Sequence, residues 1–568
     1  MAWLCLSPAF AQSAGGAVAP TPQQTIQEGL RRQEERSREQ QRTLEPKADE
    51  LTPDVRRPVV RAFPSDTQCF VINELSLSES SPVRFGWLLD AALPYLRRCV
   101  GVKGLSFIAA ELDERLHDQG YATTRVGLPP QSLHSGRLVV HVNVGRVAAI
   151  RMVRPGPGNP PDEAWGTWRN AFPLSVGDIL DLRALEQGVE NMKKLPSQSV
   201  ATRLEPGAQP GSSVVYIERK ETTLKDRVRG GITLDNSGSR ALGRAQLQAS
   251  VSVDNPAGLN DMVTLGLATN VRQPTASHRS QSASAGYTVP WGYNLLSLNA
   301  SRSRFAQYVQ GTTVRFLSSG ASESADAKLS RTLWRTASSK LGVHGAVSTR
   351  RAFSYLDDTE VIIQRRRTTS VETGIGYEHL FENSFFEGEL AYRRGMPWRG
   401  AQQDLASADE GGLTVRPRLW TLHAAYRRDF QFAGRGFQYG ATLRGQHTRN
   451  TTLSVDQMAI GGRYSVRGFD GDAVLLAENG VVLRNDFTTP LKLWDGLQTT
   501  GFLAIDYGRV WGPSDTQLAG RKLVGLALGL KGRFRATQFE ATLATPLHHP
   551  DAFASRRLNL YLTLTQSI

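Results

Sequence analysis

Arg467 and Asp506 are the residues of this 568-residue chain whose types and settings best suit a functional pair. Arg467 lies in Ala459-Ile460-Gly461-Gly462-Arg463-Tyr464-Ser465-Val466-Arg467-Gly468-Phe469. Glycines there permit tight backbone bends, and the arginine carries an always-charged fork of donors that calls for a carboxylate. Phe502-Leu503-Ala504-Ile505-Asp506-Tyr507-Gly508-Arg509 offers one. On a strand, Leu503, Ile505 and Tyr507 share one face, which turns Asp506 and Gly508 to the other. A loop folded onto that second face would set Arg467 against Asp506, with Gly508 leaving room for the approach.

Other chemistry is not encoded in any pattern found. There is no Gly-x-Ser-x-Gly elbow, no His-Glu-x-x-His helix and no Gly-x-x-x-x-Gly-Lys-Ser/Thr phosphate cradle. His548 and His549 precede Pro550 and read as a solvated turn. We therefore expect no enzyme activity, no metal and no cofactor. The net charge is +14, but the basic residues are spread without Lys/Arg runs interleaved with aromatics, so a nucleic-acid partner is not expected. Of three cysteines, Cys5 lies in the apolar start, and Cys69 with Cys99 predicts one disulfide in an oxidising compartment.

Positioning elements follow from periodicity. Residues 1–11 are apolar and end in Ala9-Phe10-Ala11, which predicts a cleaved export signal. Residues 12–65 hold a helix over 25–45 that is polar all round, then a proline-bearing tether over 46–64. A polar helix of that kind bridges solvent, lies in a polar channel, or is not stable by itself and frays into a charged linker. Residues 66–145 read as a β-α-α-β-β module: a strand from Cys69, helices over 85–98 (disturbed at Pro94) and 105–119, then strands over 121–127 and 137–144. Residues 146–222 repeat the plan, with a strand over 147–153, helices over 162–172 and 182–195, and strands over 202–204 and 214–219.

From residue 223 to 568 the helical period gives way to period two. Leu558, Leu560, Leu562 and Leu564 fall on one face, against Asn559, Tyr561, Thr563 and Thr565. No run approaches the ~18 apolar residues a membrane-spanning helix needs. Alternation sustained over this length predicts a transmembrane barrel of roughly 16 strands with a wet lumen, in contact with outer-membrane lipid. The fold class is mixed, two small α+β modules followed by an antiparallel β-barrel.

At these motifs the chain resembles a known family. Val466-Arg467-Gly468-Phe469 and Asp506-x-Gly508 look like the paired signatures of the superfamily that joins outer-membrane assembly factors and TpsB transporters. Cys69-Phe70-x-Ile72, Gly120-Tyr121-Ala122-Thr123 and Asp235-Asn236-Ser237-Gly238 narrow this to the TpsB transporters of two-partner secretion. So do Asp254-Asn255-Pro256-x-Gly258-Leu259-Asn260-Asp261 and Pro290-Trp291-Gly292-Tyr293.

The resemblance implies a periplasmic POTRA pair that captures an unfolded exoprotein, a 16-strand barrel that conducts it outward, and an N-terminal helix that plugs the pore. It also implies that the motif-bearing loop folds into the lumen and pairs Arg467 with Asp506. The implied partner is a TpsA-type exoprotein, an adhesin, haemolysin or contact-dependent toxin. We expect its first segment to add as a strand at Val214, Val215, Tyr216 and Ile217, because β-augmentation makes little demand on side-chain identity. An assembly factor for other barrels is the alternative within the same superfamily.

Overall fold

A computed structural model describes residues 51–53, 62–78, 81–162, 164–220, 222–240, 242–272, 274–310, 314–409 and 411–568. The expected signal, the polar helix over 25–45 and most of the tether lie outside the described residues.

Module 1 is built on alternating apolar residues. Strand β1 (Phe70–Val71) precedes β2 (Glu74–Leu77), helix α1 (Trp87–Ala92), β3 (Cys99–Val100), α2 (Val102–Asp118), β4 (Arg125–Gly127) and β5 (Arg137–Asn143). The sheet order is β2-β5-β4, and β1 pairs with β3. Ile108, Leu112 and Leu116, spaced by four on α2, bury against Leu138, Val140 and Val142 of β5. The first helix is shorter than the expected 85–98. It gives way to a 3-10 turn over Leu93–Tyr95, where Pro94 has no N–H to continue the ladder. The Cys69–Cys99 disulfide ties β1 to β3, with Cα atoms 5.2 Å apart.

Module 2 has β6 (Arg146–Val153), α3 (Leu182–Lys193), β7 (Val200–Pro206) and β8 (Ser212–Arg219), in sheet order β6-β8-β7. Leu185, Val189 and Met192 of α3 pack on Val215 and Ile217. Among the described residues of 162–172 the expected helix is absent. Gly166 takes a φ of +112° and the chain makes a single turn at 168–172, because its polar groups are committed elsewhere.

Helix α4 (Leu224–Arg227) leads into sixteen strands. They are β9 (Val228–Asp235), β10 (Gln246–Asp254), β11 (Met262–Asn270), β12 (Arg279–Trp291), β13 (Asn294–Gln310), β14 (Arg315–Arg335), β15 (Ser339–Leu356) and β16 (Arg366–Leu380). Then follow β17 (Ser384–Met396), β18 (Arg418–Phe432), β19 (Arg435–His447), β20 (Asn479–Leu491), β21 (Gln498–Trp511), β22 (Lys522–Phe534), β23 (Thr537–His548) and β24 (Asn559–Ser567). Each pairs antiparallel with its chain neighbour, and β24 closes on β9 with Thr563 opposite Asp235. Closure leaves no open edge among them. Leu560, Leu562 and Leu564 are exposed on the outer wall while Tyr561 is buried in the lumen, the alternation a lipid-facing barrel needs.

Candidate functional site: the lumenal loop and its anchors

The connection from β19 to β20 folds into the barrel. A short antiparallel ladder, Met458–Ile460 with Leu475–Ala477, stiffens its base, and the segment between reaches the inner wall. Arg467 is 5% exposed and Asp506 fully buried. The Arg467 Nε donates to Asp506 Oδ2 and Nη2 to Oδ1, each at 2.6 Å, and the Arg467 backbone N–H donates to Oδ2 at 2.9 Å. Two parallel charge-assisted bonds fix the angle of the fork as well as its position.

A second carboxylate completes the clamp. Arg467 Nη1 donates to Asp486 Oδ1 of β20 at 2.6 Å, and Arg484 stands 3.9 Å from Asp506. Sequence reading missed both. The signal existed, since Arg484 and Asp486 alternate with Leu483 and Asn485, but only the ladder pairing Arg484 with Asp506 puts them beside the site.

The glycines divide the space differently from the expectation. A Cβ on Gly508 would lie 2.6 Å from Val466 Cγ2 and 3.1 Å from Ile460 Cγ2, so Gly508 makes room for the neighbouring apolar side chains. Room for Arg467 comes from Gly525 on β22, where a Cβ would sit 1.5 Å from the Arg467 carbonyl oxygen.

Beyond Arg467 the loop is held residue by residue. Gly468 has φ +110°, and a Cβ there would meet Thr545 O at 2.6 Å. Its carbonyl accepts from Asn559 Nδ2 at 2.6 Å, and its N–H donates to the Tyr561 hydroxyl, which in turn donates to Phe469 O at 2.8 Å. Phe469 is 1% exposed and meets Phe553 edge-on at 5.6 Å. Asp470 lies within 3.5 Å of Arg240, Arg244 and Arg556, three arginines of the opposite loops.

Val214, Val215, Tyr216 and Ile217 form the core of β8, and this corrects their expected role. Strand β8 pairs parallel with β6 and antiparallel with β7, so neither edge can accept another strand. Val215 and Ile217 are fully buried. Module 2 instead leaves an edge of β7 without a ladder partner among the described residues, with Ala201 exposed.

Module 2 is also seated on the barrel, which sequence reading did not anticipate. Asn170 Nδ2 donates to Leu259 O and Pro290 O, Asn260 Nδ2 to Thr167 O, and Asn191 Nδ2 to Gly292 O. The segment expected as a helix over 162–172 is thus the plug that fits the turns after β10 and β12. Next to it, Glu190 is 1% exposed and pairs with Arg335, with Lys340 at 3.3 Å and with Lys194 at 3.8 Å. Burial pushes the Glu190 carboxyl up, but Lys340, Lys194 and Arg335 outweigh it and hold the group below its usual range. The turn between β14 and β15, next to Arg335 and Lys340, accepts from the Thr52 N–H at Ala337 O, 2.8 Å away.

Comparison with known proteins gives a consistent picture. A family model described as haemolysin secretion/activation protein ShlB/FhaC/HecB matches residues 211–532, a ShlB-type POTRA model matches 70–145, and a second POTRA model matches 147–206. The outer membrane transporter CdiB-2 of Burkholderia pseudomallei (strain 1026b) is 34% identical over 546 residues, covering 93% of this chain and 91% of that protein. The hemolysin transporter protein ShlB of Serratia marcescens is 24% identical, covering 84% and 82%. The solved structure of CdiB from Escherichia coli superposes with a TM-score of 0.81 at 25% identity, over 97% of this chain and all of that one.

Proposed function

We propose a working mechanism from the premise that this chain belongs to the haemolysin secretion/activation family ShlB/FhaC/HecB, and so is an outer-membrane two-partner secretion transporter with its POTRA modules in the periplasm. It moves a partner exoprotein across a closed barrel whose lumen is occupied by a loop clamped through Arg467.

The bidentate Arg467–Asp506 pair carries this reading. A buried ion pair with both partners fixed is a two-position element: it holds while its hydrogen bonds are complete and is costly once one partner is removed. We assign the clamp the task of holding the 461–474 segment against β20–β22, so that the rest of the lumen forms a defined path. The cargo arrives unfolded, its leading segment adds to the open edge of β7, and it threads outward in extended form. Folding of the cargo outside supplies the drive, and the chain itself carries out no covalent step.

Secretion of the cognate exoprotein is the test, comparing wild type with Arg467→Ala at matched outer-membrane levels. Loss of secretion supports the clamp, and full secretion refutes its role. A photo-crosslinker at Ala201 should capture cargo in transit, whereas crosslinks confined to module 1 would move the capture site away from β7.

A further inference from the structure

The barrel's outer wall carries a row of charge that lipid contact does not explain. On the outward faces of β13 to β16, the ladders set Arg302 opposite Glu323, Glu323 opposite Arg351, and Arg351 opposite Arg367. Arg302 and Glu323 pair at 3.4 Å, which confirms that they share a face. Arg351 and Arg367 are directly opposed like charges, an arrangement that is unfavourable without a counter-charge. Among the described residues of this outward face, Glu323 is the only acid, and Arg302 already engages it. The acids Glu372 and Glu378 of β16 and Glu389 of β17 turn inward, where His344, Lys340 and Lys328 meet them.

Height places the row at one boundary of the membrane. The turns at Asn255–Asp261 and Ala337 contact module 2 or the tether, so those strand ends face the periplasm. Arg351 lies twelve residues along β15 from Ser339. At about 3.3 Å per residue and a tilt of about 40°, that is roughly 30 Å up the barrel axis. An apolar band is about 25 Å tall, so Arg351, with Glu323 and Arg367 twelve and thirteen residues from the periplasmic ends of their own strands, stands at the outer-leaflet headgroups. Directly below it the outward residues are Ala325, Thr349, Ala327 and Val347, small and mostly apolar.

These features surround one hollow of about 420 Å³, with Arg351, Arg367, Arg399 and Glu323 at its rim and Ala325, Ala327, Val347 and Thr349 on its floor; Asp326 and Arg350, of the inward-facing set, also border it. Gly400 brings its loop close enough that a Cβ there would lie 2.8 Å from the Arg367 guanidinium carbon, so the loop that carries Arg399 packs against Arg367.

We propose that this hollow binds a phosphorylated glycolipid of the outer leaflet, with Arg351, Arg367 and Arg399 gripping its headgroup phosphates and an acyl chain lying along the alanine floor. Guanidinium groups suit phosphate because their planar forks donate in pairs. A phosphate dianion between Arg351 and Arg367 removes the like-charge opposition on the rung, and the small floor side chains admit a hydrocarbon chain that larger residues would exclude. The site is independent of the lumenal clamp and of cargo capture.

The test uses the purified full-length protein in detergent, titrated with a bisphosphorylated diglucosamine lipid while thermal unfolding is followed. We expect a saturable rise in the unfolding temperature. Arg351→Gln/Arg367→Gln/Arg399→Gln should weaken the apparent affinity on the order of 100-fold, each lost cation near an anionic membrane surface being worth roughly fivefold. The dephosphorylated lipid should give a small shift or none, and inorganic phosphate none. Equal shifts for wild type and triple variant, or for phosphorylated and dephosphorylated lipid, would overturn the proposal, as would an equal response to inorganic phosphate. Should the triple variant fail to assemble, Ala325→Trp fills the floor while leaving every arginine in place, and unaltered lipid affinity in that variant would also overturn it.

Discussion

Replacing Gly525 by alanine should unseat the lumenal loop with one methyl group. Its Cβ would be 1.5 Å from the Arg467 carbonyl oxygen and 2.7 Å from the carbonyl carbon. Real Cβ contacts essentially never fall below 3.0 Å, so one side must retreat by about 1.5 Å. Strand β22 is laddered to β21 and β23, whereas the loop is attached through side-chain contacts, so the loop yields. A 1.5 Å retreat stretches the 2.6 Å Arg467–Asp506 bonds to about 4 Å, beyond any hydrogen bond. Breaking a buried pair costs about 3–5 kcal/mol, enough to turn a well-held loop into one that samples open positions. Trypsin reads this directly, because Arg467 is buried in the wild type and cleavable only when released. Gly525→Ala should show new cleavage after Arg467 and reduced secretion at matched outer-membrane levels. Gly345→Ala, where an added Cβ meets nothing within 4 Å, is the control and should change neither. If Gly525→Ala keeps both the protection and the secretion of the wild type, the close approach is absorbed elsewhere and the clamp argument fails.

Four further outcomes are expected. Asp506→Asn removes the charge but keeps the shape, leaving Arg467 with Asp486 alone; secretion should fall while the barrel still assembles, measured by heat-modifiable mobility on a gel. Reducing Cys69–Cys99 opens a loop of sequence separation 30 and should cost module 1 about 3–4 kcal/mol, seen as a lower unfolding temperature with reductant that a Cys69→Ser/Cys99→Ser variant no longer shows. Glu190→Gln takes one carboxylate from Arg335, which keeps Glu186 at 3.5 Å, and from Lys340, which keeps Glu378 at 2.8 Å, and should loosen module 2 by about 3 kcal/mol, read as a broadened distance distribution between spin labels on module 2 and the barrel. Asp66 accepts the N–H groups of Gly104, Lys103 and Gly101 at the start of α2, and the Gly104 bond above all holds its carboxyl below the ordinary 3.8. With the folded value depressed, its contribution is present above pH 3.8 and lost as pH falls through the folded value, so Asp66→Asn should flatten the acid limb of the module 1 unfolding curve.

Local chemistry written in the sequence settled the elements with a strong period. The face of α2 formed by Ile108, Leu112 and Leu116, and the outward leucines of β24, are fixed by spacing, because a helix or strand with one apolar face has one way to bury or expose it. Cys69 with Cys99 and Arg467 with Asp506 were likewise legible from residue type, since a thiol pair and a fork of donors each demand a specific kind of partner. What the tertiary structure alone decided was neighbourhood. Gly508 and Gly525 are alike in the sequence, yet one shelters Val466 and the other Arg467, a difference set by the register of β21 and β22. Val214 to Ile217 read as a suitable strand for capture, but only the sheet order revealed that both its edges are taken. Residues 162–172 have enough helix formers to suggest a helix, and lost that form because Asn170 and Thr167 bond the barrel turns more than 80 residues ahead. The row of Arg302, Glu323, Arg351 and Arg367 is invisible along the chain, because its members come from four strands and meet only through the pairing of backbones.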